Sequence, residues 1–198
     1  MFARTERLLL RPGWIEDAPA LARAIGEEAV VRNLATAPWP YGEDDARDFL
    51  SQPIDAAQPR FLIFARTGGA PRLVGGCGIS DDPDGRPEMG YWIARPYWGL
   101  GFATEAGRQL LHIARAMNLP RLSAGHFVDN PASGAVLRKL GFRPTGQVAP
   151  RFSRARGGEA TVALFEEGEV DADGAVTPMR DRIGVDEDFR QELRLMAA

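Results

Sequence analysis

The sequence predicts a single α/β domain. Three observations carry this reading. The chain has 198 residues, enough for one sizeable core at about 150 residues per domain. Its hydrophobic fraction of 44% and charged fraction of 26% are ordinary globular values, which argues against disorder or a fibrous repeat. Short β-competent runs also alternate along the chain with segments whose apolar residues recur at three- and four-residue steps, as helices between strands require. No apolar run approaches the ~18 residues of a bilayer span. Arg4, Glu6 and Arg7 stand where a signal peptide needs an uninterrupted apolar stretch. A cytoplasmic location with no membrane partner is therefore expected.

The elements follow in order. Residues 6–11 alternate weakly around Leu8 and Leu10 and stop at Pro12-Gly13, which reads as a first strand and turn. Ala18, Leu21, Ala22 and Ile25 mark a helix over residues 17–25, with Pro19 suited to its first turn. A second helix is expected over 44–50. Between them, Pro38 and Pro40 forbid regular helix while Trp39 and Tyr41 offer adhesive surface, so the loop 36–42 is a candidate wall of a substrate cleft. The runs 61–65 and 73–80, separated by Gly68-Gly69, have the pattern of an antiparallel hairpin. A third strand, 88–93, follows the turn at 81–85. It leads through Pro96 and a glycine-containing turn into a helix over 101–117, where Ala103, Ala106, Leu110, Ile113, Ala114 and Met117 form one apolar stripe.

A strand is expected over 122–128. A helix over 131–140 follows, capped by Asn130, opened by Pro131 and closed by Gly141. Strands 142–148 and 161–165, joined by an Arg- and Gly-rich loop 151–158, complete the sheet. Past that point the composition changes. From Glu166 onward ten acidic residues face four arginines, while the remainder carries a net charge of +3 out of an overall −3. The reading is a domain at 1–165 and an acidic extension at 166–198, with a turn at 171–174 and a helix at 186–196 on the spacing of Phe189, Leu193 and Met196.

Composition also narrows the chemistry. Cys77 has no partner for an internal disulfide, and with only His112 and His126 besides there is no zinc-ligand spacing. No metal is expected. A net +3 on the body is far from a duplex-binding stripe but suits a small polyphosphate, so nucleic acid is not expected as a partner. Trp98-Gly-Leu-Gly-Phe-Ala-Thr-Glu105 sits at the strand-to-helix junction, where small residues let a backbone approach a ligand and the free N–H groups of a helix start attract phosphate. By itself this is either an anion site or the geometry of a tight turn. Two rival motifs are excluded: the dinucleotide fingerprint needs a third Gly at Thr104, and the Walker loop needs a Gly-Lys-Ser/Thr that is absent.

Three segments together resemble the GNAT superfamily of N-acetyltransferases and its RimJ/RimL-type ribosomal-protein N-terminal acetyltransferase branch. They are Glu88-Met-Gly-Tyr-Trp92, Trp98-Gly-Leu-Gly-Phe-Ala-Thr-Glu-Ala106, and Asn130-Pro-Ala-Ser-Gly-Ala-Val-Leu-Arg-Lys-Leu-Gly-Phe142. Residues 5–12 and 41–50 are similar too, so the resemblance spans about 5–165. It implies the GNAT acyl-CoA fold, a mostly antiparallel sheet with a splayed central strand pair, and acetyl-CoA as co-substrate in the V-shaped gap. The superfamily's pyrophosphate loop falls on Trp98, Gly101 and Ala103, with Trp98 replacing the usual basic or amide residue. The implied phosphate donors are the backbone N–H groups of Gly99, Leu100, Gly101, Phe102, Ala103 and Thr104. The backbone of Trp92, Ile93 and Ala94 is implied to pair with the pantetheine arm, with an N–H near Ile93 facing the thioester carbonyl. A donor pre-aimed at a developing oxyanion is typically worth ~3 kcal/mol.

Asn130 and Ser133 suit any helix start, and they also match the family spacing in which the Asn contacts cofactor and a hydroxyl protonates the departing thiolate. Many members carry a Tyr where this chain has Leu137, which leaves Ser133 as the implied proton donor. Glu88 is the candidate general base for the incoming amine, or else an ordinary exposed carboxylate at a strand start. His126 reads as a structural histidine. Trp39, Tyr41 and Trp92 are candidates to line the acceptor site. Cys77, in an apolar strand with no visible base, reads as a buried thiol rather than a nucleophile.

The expected reaction is direct acetyl transfer from acetyl-CoA to a primary amine, such as a protein N-terminal amine. The alternatives are a small-amine acetyltransferase, acting on an antibiotic, polyamine or amino acid, and a non-catalytic acyl-CoA-binding module. A monomer or homodimer is expected.

Overall fold

Strand β3 (Arg60–Ala65) shows why this chain makes a two-layered wrap around one sheet. Its side chains alternate: Leu62 and Phe64 enter one buried cluster, while Phe61, Ile63 and Ala65 enter another. Such a strand is covered on both faces, and each fully buried Leu or Phe contributes roughly 1.5–3 kcal/mol. In the computed structural model, which describes residues 1–66 and 69–168, β3 is third in an eight-stranded sheet. The other strands are β1 (Ala3–Arg4), β2 (Leu8–Arg11), β4 (Arg72–Asp81), β5 (Pro87–Ile93), β6 (Ser123–Phe127), β7 (Phe142–Ser153) and β8 (Gly158–Glu167). Their order is β1-β2-β3-β4-β5-β6-β8-β7. Every neighbouring pair is antiparallel except β5 and β6.

Helices α1 (Ala18–Ile25), α2 (Glu28–Val31) and α3 (Glu43–Ser51) cover one face. There Leu21, Ile25, Val31 and Ala46 pack on Leu62 and Phe64. Helices α4 (Phe102–Ala116) and α5 (Pro131–Lys139) cover the other, with Leu110, Ile113, Ala114 and Leu137 packed on Ile63, Val74, Met89 and Ala124. The predicted stripe of α4 is the side that is buried. Among the described residues no helix is long and apolar enough to cross a membrane.

Most differences from the sequence reading have local causes. The first strand is two, because Thr5 makes a tight turn: its N–H donates to the Leu8 carbonyl and its hydroxyl accepts from the Leu8 N–H. The one-turn helix α2 was not expected, since four residues are too few for periodicity to register. β7 runs on to Ser153 and β8 begins at Gly158 and ends at Glu167, so half of the expected loop 151–158 is ladder. Arg151 pairs with Ala160, Phe152 with Glu159 and Ser153 with Gly158. That extension escaped the pattern because Val148 and Phe152 are exposed, so their strand is held by hydrogen bonds rather than by an apolar face. The turn expected at 171–174 and the helix at 186–196 lie outside the described residues.

Candidate functional site

The parallel pair at the centre of the sheet does not stay together. β5 and β6 are in register only at Glu88/Ser123 and Met89/Ala124. Beyond Met89, β5 continues against β4, with Trp92 opposite Gly76 and Ile93 opposite Gly75. β6 continues against β8 instead. The divergence opens a cavity of about 610 Å³, walled by Gly90, Tyr91, Trp92 and Ile93 on one side and by Gly125, His126 and Phe127 on the other. The splayed pair implied by the resemblance is present.

Backbone alternation decides which strand groups face the gap. The Ala94 N–H donates to the Val74 carbonyl, so Ala94 and Trp92 spend their backbone groups on β4, while those of Ile93 and Tyr91 point to the opposite edge. Of the three residues expected to pair with a ligand arm, only Ile93 presents its backbone to the gap. Its carbonyl accepts the Trp98 indole N–H at 2.6 Å. Trp92 contributes its side chain to the cavity wall, and Ala94 does not line it.

After β5 the chain turns sharply into α4. Gly99 and Gly101 have φ of +78° and +80°, a conformation that disfavours any side chain. Around Gly99 an added Cβ would meet nothing within 4 Å, so the loop is held open by conformation rather than by crowding. The first α4 residue with a helical acceptor is Glu105, whose N–H reaches the Gly101 carbonyl. The amides just before it have no partner within the helix and form an anion-ready terminus. Trp98, Gly99, Gly101, Phe102, Ala103 and Thr104 line the cavity; Leu100 does not.

The loop is braced from far away in sequence. Arg7 donates through its backbone N–H and Nε to Glu105, at 2.8 and 2.7 Å, and through Nη1 to the Leu100 carbonyl at 3.0 Å. Its guanidinium also lies over the Phe102 ring, 4.8 Å from the centroid. Burial opposes the charge on Glu105, but the bonds from Thr5 and Arg7 outweigh it and hold the carboxyl below its ordinary value.

On the α4 and α5 side of the gap, Asn130 caps α5 as expected, its side chain accepting from the Ser133 N–H at 3.4 Å. Asn130 and Ser133 both line the cavity. The Tyr91 hydroxyl lies 2.8 Å from Ser133 Oγ and 2.9 Å from its carbonyl oxygen. Burial pushes the Tyr91 phenol up to about 12 despite the bond to Ser133, so it is a neutral hydrogen-bonding group at neutral pH. Leu137 is buried in the core. His126 packs on Phe165 with ring centroids 5.4 Å apart, and its Nδ1 is 2.8 Å from the Phe127 carbonyl. Burial, joined by the Arg138 charge, lowers its pKa although the Phe127 bond opposes this.

On the opposite face, Glu88 faces the gap in an ion pair: Arg151 Nη1 lies 2.9 Å from each of its carboxylate oxygens. Gly125 lies beside it: a Cβ there would crowd Val162 Cγ1 at 2.7 Å and touch Glu88 Oε1 at 3.4 Å. Ser80, Val30 and residues 33–36 complete this wall. The last of these are tied to the β7–β8 hairpin, with Ser153 Oγ donating to the Leu34 carbonyl and the Arg154 N–H to that of Ala35.

Trp39 and Tyr41, expected on the acceptor side, are placed elsewhere. Trp39 is 43% exposed, Tyr41 packs on the core beneath α1 and α3, and neither lines the cavity. Sequence reasoning instead missed Tyr91, Arg7, Glu105, Arg151 and residues 33–35, while Thr36, the first residue of the expected cleft loop, does line the cavity. Tyr91 stood inside a recognised motif and Arg151 inside a noted arginine-rich stretch. Nothing local links Arg7 to Glu105. Cys77 is buried, and burial raises its thiol pKa to about 12. Among the described residues no group of three or more His, Cys, Asp or Glu is placed to hold a metal ion.

The acetyltransferase (GNAT) domain family matches residues 7–143. The chain is 30% identical over 168 residues to an uncharacterised N-acetyltransferase, p20, of Bacillus licheniformis, covering 81% of this chain and 92% of that one. Among solved structures, it is similar to a GNAT-family acetyltransferase of Bacillus anthracis, with a TM-score of 0.70, 23% identity, and coverage of 84% and 97%. It is also similar to a RimL ribosomal-protein alpha-N-acetyltransferase in complex with coenzyme A, with a TM-score of 0.67, 20% identity, and coverage of 84% and 97%.

Proposed function

The chain belongs to the GNAT acetyltransferase family, and from that premise we propose that it transfers acetyl from acetyl-CoA directly to a primary amine, a protein N-terminal amine in the first instance. One observation carries the reading. The unpaired amides at the start of α4 open onto the same gap as the Ile93 edge of β5 and the Ser133 hydroxyl. A phosphate-bearing end and a reacting end of one extended ligand therefore have partners along a single cavity. The likeness to a RimL enzyme holding coenzyme A supports both the co-substrate and the N-terminal acceptor.

The residues fit such a ligand. The positive-φ glycines let the backbone approach diphosphate, and the helix start stabilises its charge. The Ile93 N–H faces the reacting carbonyl and Ser133 stands ready to protonate the leaving sulfur. Glu88 lies where an acceptor amine enters and takes its proton, directly or through water. A non-catalytic binding module is the weaker reading, because the Tyr91 hydroxyl stands beside Ser133 although position 137 is Leu.

Calorimetry with acetyl-CoA tests this. Wild type should bind with micromolar affinity, about −8 kcal/mol, and Gly101→Glu, folded by circular dichroism, should not. Absence of binding by wild type overturns the co-substrate. Binding without turnover of any peptide or amine, and with Glu88→Gln and Ser133→Ala indistinguishable from wild type, overturns the enzyme.

A further inference from the structure

The ion pair between Glu88 and Arg151 leaves most of the arginine unused. Only Nη1 contacts the carboxylate, bridging both oxygens at 2.9 Å. Nε and Nη2 have no partner among the described residues. Arg156, on the turn that follows, shows what a structural arginine does in this hairpin: Nη1 and Nη2 fork onto Asp129, each at 2.9 Å, and Nε donates to the Arg32 carbonyl at 2.8 Å. Arg151 is not committed in that way. Its side chain is 25% exposed, it lines the cavity, and no fully buried side-chain nitrogen or oxygen among the described residues lacks a partner, so its spare nitrogens are not fully buried.

Its position adds the second half of the argument. Arg151 is on β7 and Glu88 on β5, with β6 and β8 between them in the sheet. The long side chain spans that distance to reach the wall of the gap rather than an outer surface. It arrives on the face opposite the pair formed by Ser133 and Tyr91, beside Ser80, Trp92 and residues 33–36. Glu88 is the one carboxylate on the cavity wall among the described residues, and it is already paired. An acceptor entering here therefore meets no uncommitted negative charge and several uncommitted guanidinium donors. Planar, multi-donor recognition is what arginine supplies to carboxylates.

We propose that Arg151 is an anion anchor for the acceptor, and that the preferred acceptor carries a carboxylate adjacent to its reacting amine. The class includes a peptide with an acidic first residue and a free α-amino acid. The proposal rests on the amine-acetylation reading above and specifies its substrate.

Two matched pairs of acceptors test it: the peptides Asp-Ala-Ala and Asn-Ala-Ala, and alanine and alaninamide, assayed by release of free CoA. For wild type, kcat/KM for the carboxylate member of at least one pair should exceed that of its amide by about tenfold or more, the loss expected on removing one charge-assisted bond. Which pair responds distinguishes peptide from amino acid. In Arg151→Gln the ratio should collapse toward one, through KM rather than kcat, and Arg151→Lys should restore part of it. Melting curves confirm that both variants are folded. Turnover with equal preference for acid and amide, or an unchanged ratio in Arg151→Gln, overturns the anchor but leaves acetyl transfer standing. Acetyl-CoA binding without turnover of any of the four also overturns it, since they represent the class. No acetyl-CoA binding at all overturns the underlying function instead.

Discussion

The hydroxyl of Tyr91, on β5, lies 2.8 Å from that of Ser133, in the first turn of α5, so the two walls of the central gap are joined where the proposed mechanism places its proton donor. The phenol also lies 2.9 Å from the Ser133 carbonyl. Ser133 is thereby held toward the gap by two contacts from the facing strand. Replacing Ser133 with Ala should lower kcat about 100-fold, the lower range for general acid catalysis, and Tyr91→Phe should lower it about tenfold. Acetyl-CoA affinity should stay within about threefold in both, because neither change touches the helix start. A Tyr91→Phe enzyme with wild-type kcat would show that Ser133 needs no such support.

The brace between Arg7 and Glu105 ties the glycine loop and the start of α4 to the first strands, so in the proposed function it supports phosphate binding. Arg7→Ala removes two side-chain hydrogen bonds and the Phe102 ring contact but keeps the backbone bond, and the acetyl-CoA Kd should rise about tenfold with little change in kcat. The same pair sets an acid limit. The folded-state pKa of Glu105 is depressed below its ordinary 4.5. Its stabilisation is therefore fully present above about pH 4.5 and is lost as pH falls through the folded value. Thermal midpoints from pH 6 to 3 should fall less steeply in Glu105→Gln than in wild type; parallel curves would remove Glu105 from the acid transition.

Gly75 packs tightly against β5. A Cβ there would stand 2.3 Å from the Trp92 carbonyl oxygen and 2.9 Å from Ile93 Cδ1. The first of these is backbone and cannot rotate away. Gly75→Ala should cost about 3 kcal/mol, the upper range for overpacking, read as a lowered urea midpoint. Because the strain falls on the strand that walls the gap, acetyl-CoA binding should weaken as well. A loss under about 0.5 kcal/mol would mean that β5 gives way easily.

Cys77, buried and with its thiol pKa raised to about 12, is not available as a thiolate nucleophile near neutrality. Cys77→Ala should keep kcat within about twofold and cost about 1 kcal/mol of stability, from loss of a small buried side chain. Loss of turnover in a folded variant would place a covalent acetyl-cysteine in the pathway.

Much of the fold was legible because its signals are local. The stripe of α4, the Asn130-Pro131 start of α5 and the apolar run of β3 each depend on residues within one element, and each appears where its pattern predicts. Where strands lacked an apolar face the reading stopped short, as in the outer half of β7. The site divides in the same way. Gly99, Gly101, Asn130 and Ser133 line the cavity as the motifs imply, because a turn or cap places them directly. Trp39 and Tyr41 did not, since an aromatic residue in a loop carries no mark of whether it faces a cleft or a core.

The sequence by itself determined the order of the longer elements, the family, the glycine loop at the start of α4 and the serine at the start of α5. These rest on backbone conformation and periodicity, which act over a few residues. Only the tertiary structure decided that Arg7 holds Glu105, that Tyr91 meets Ser133, and that Arg151 reaches Glu88 over two intervening strands. Those partners are 98, 42 and 63 residues apart. They meet because the fold brings distant elements together, and no spacing along the chain encodes the sheet order that does so.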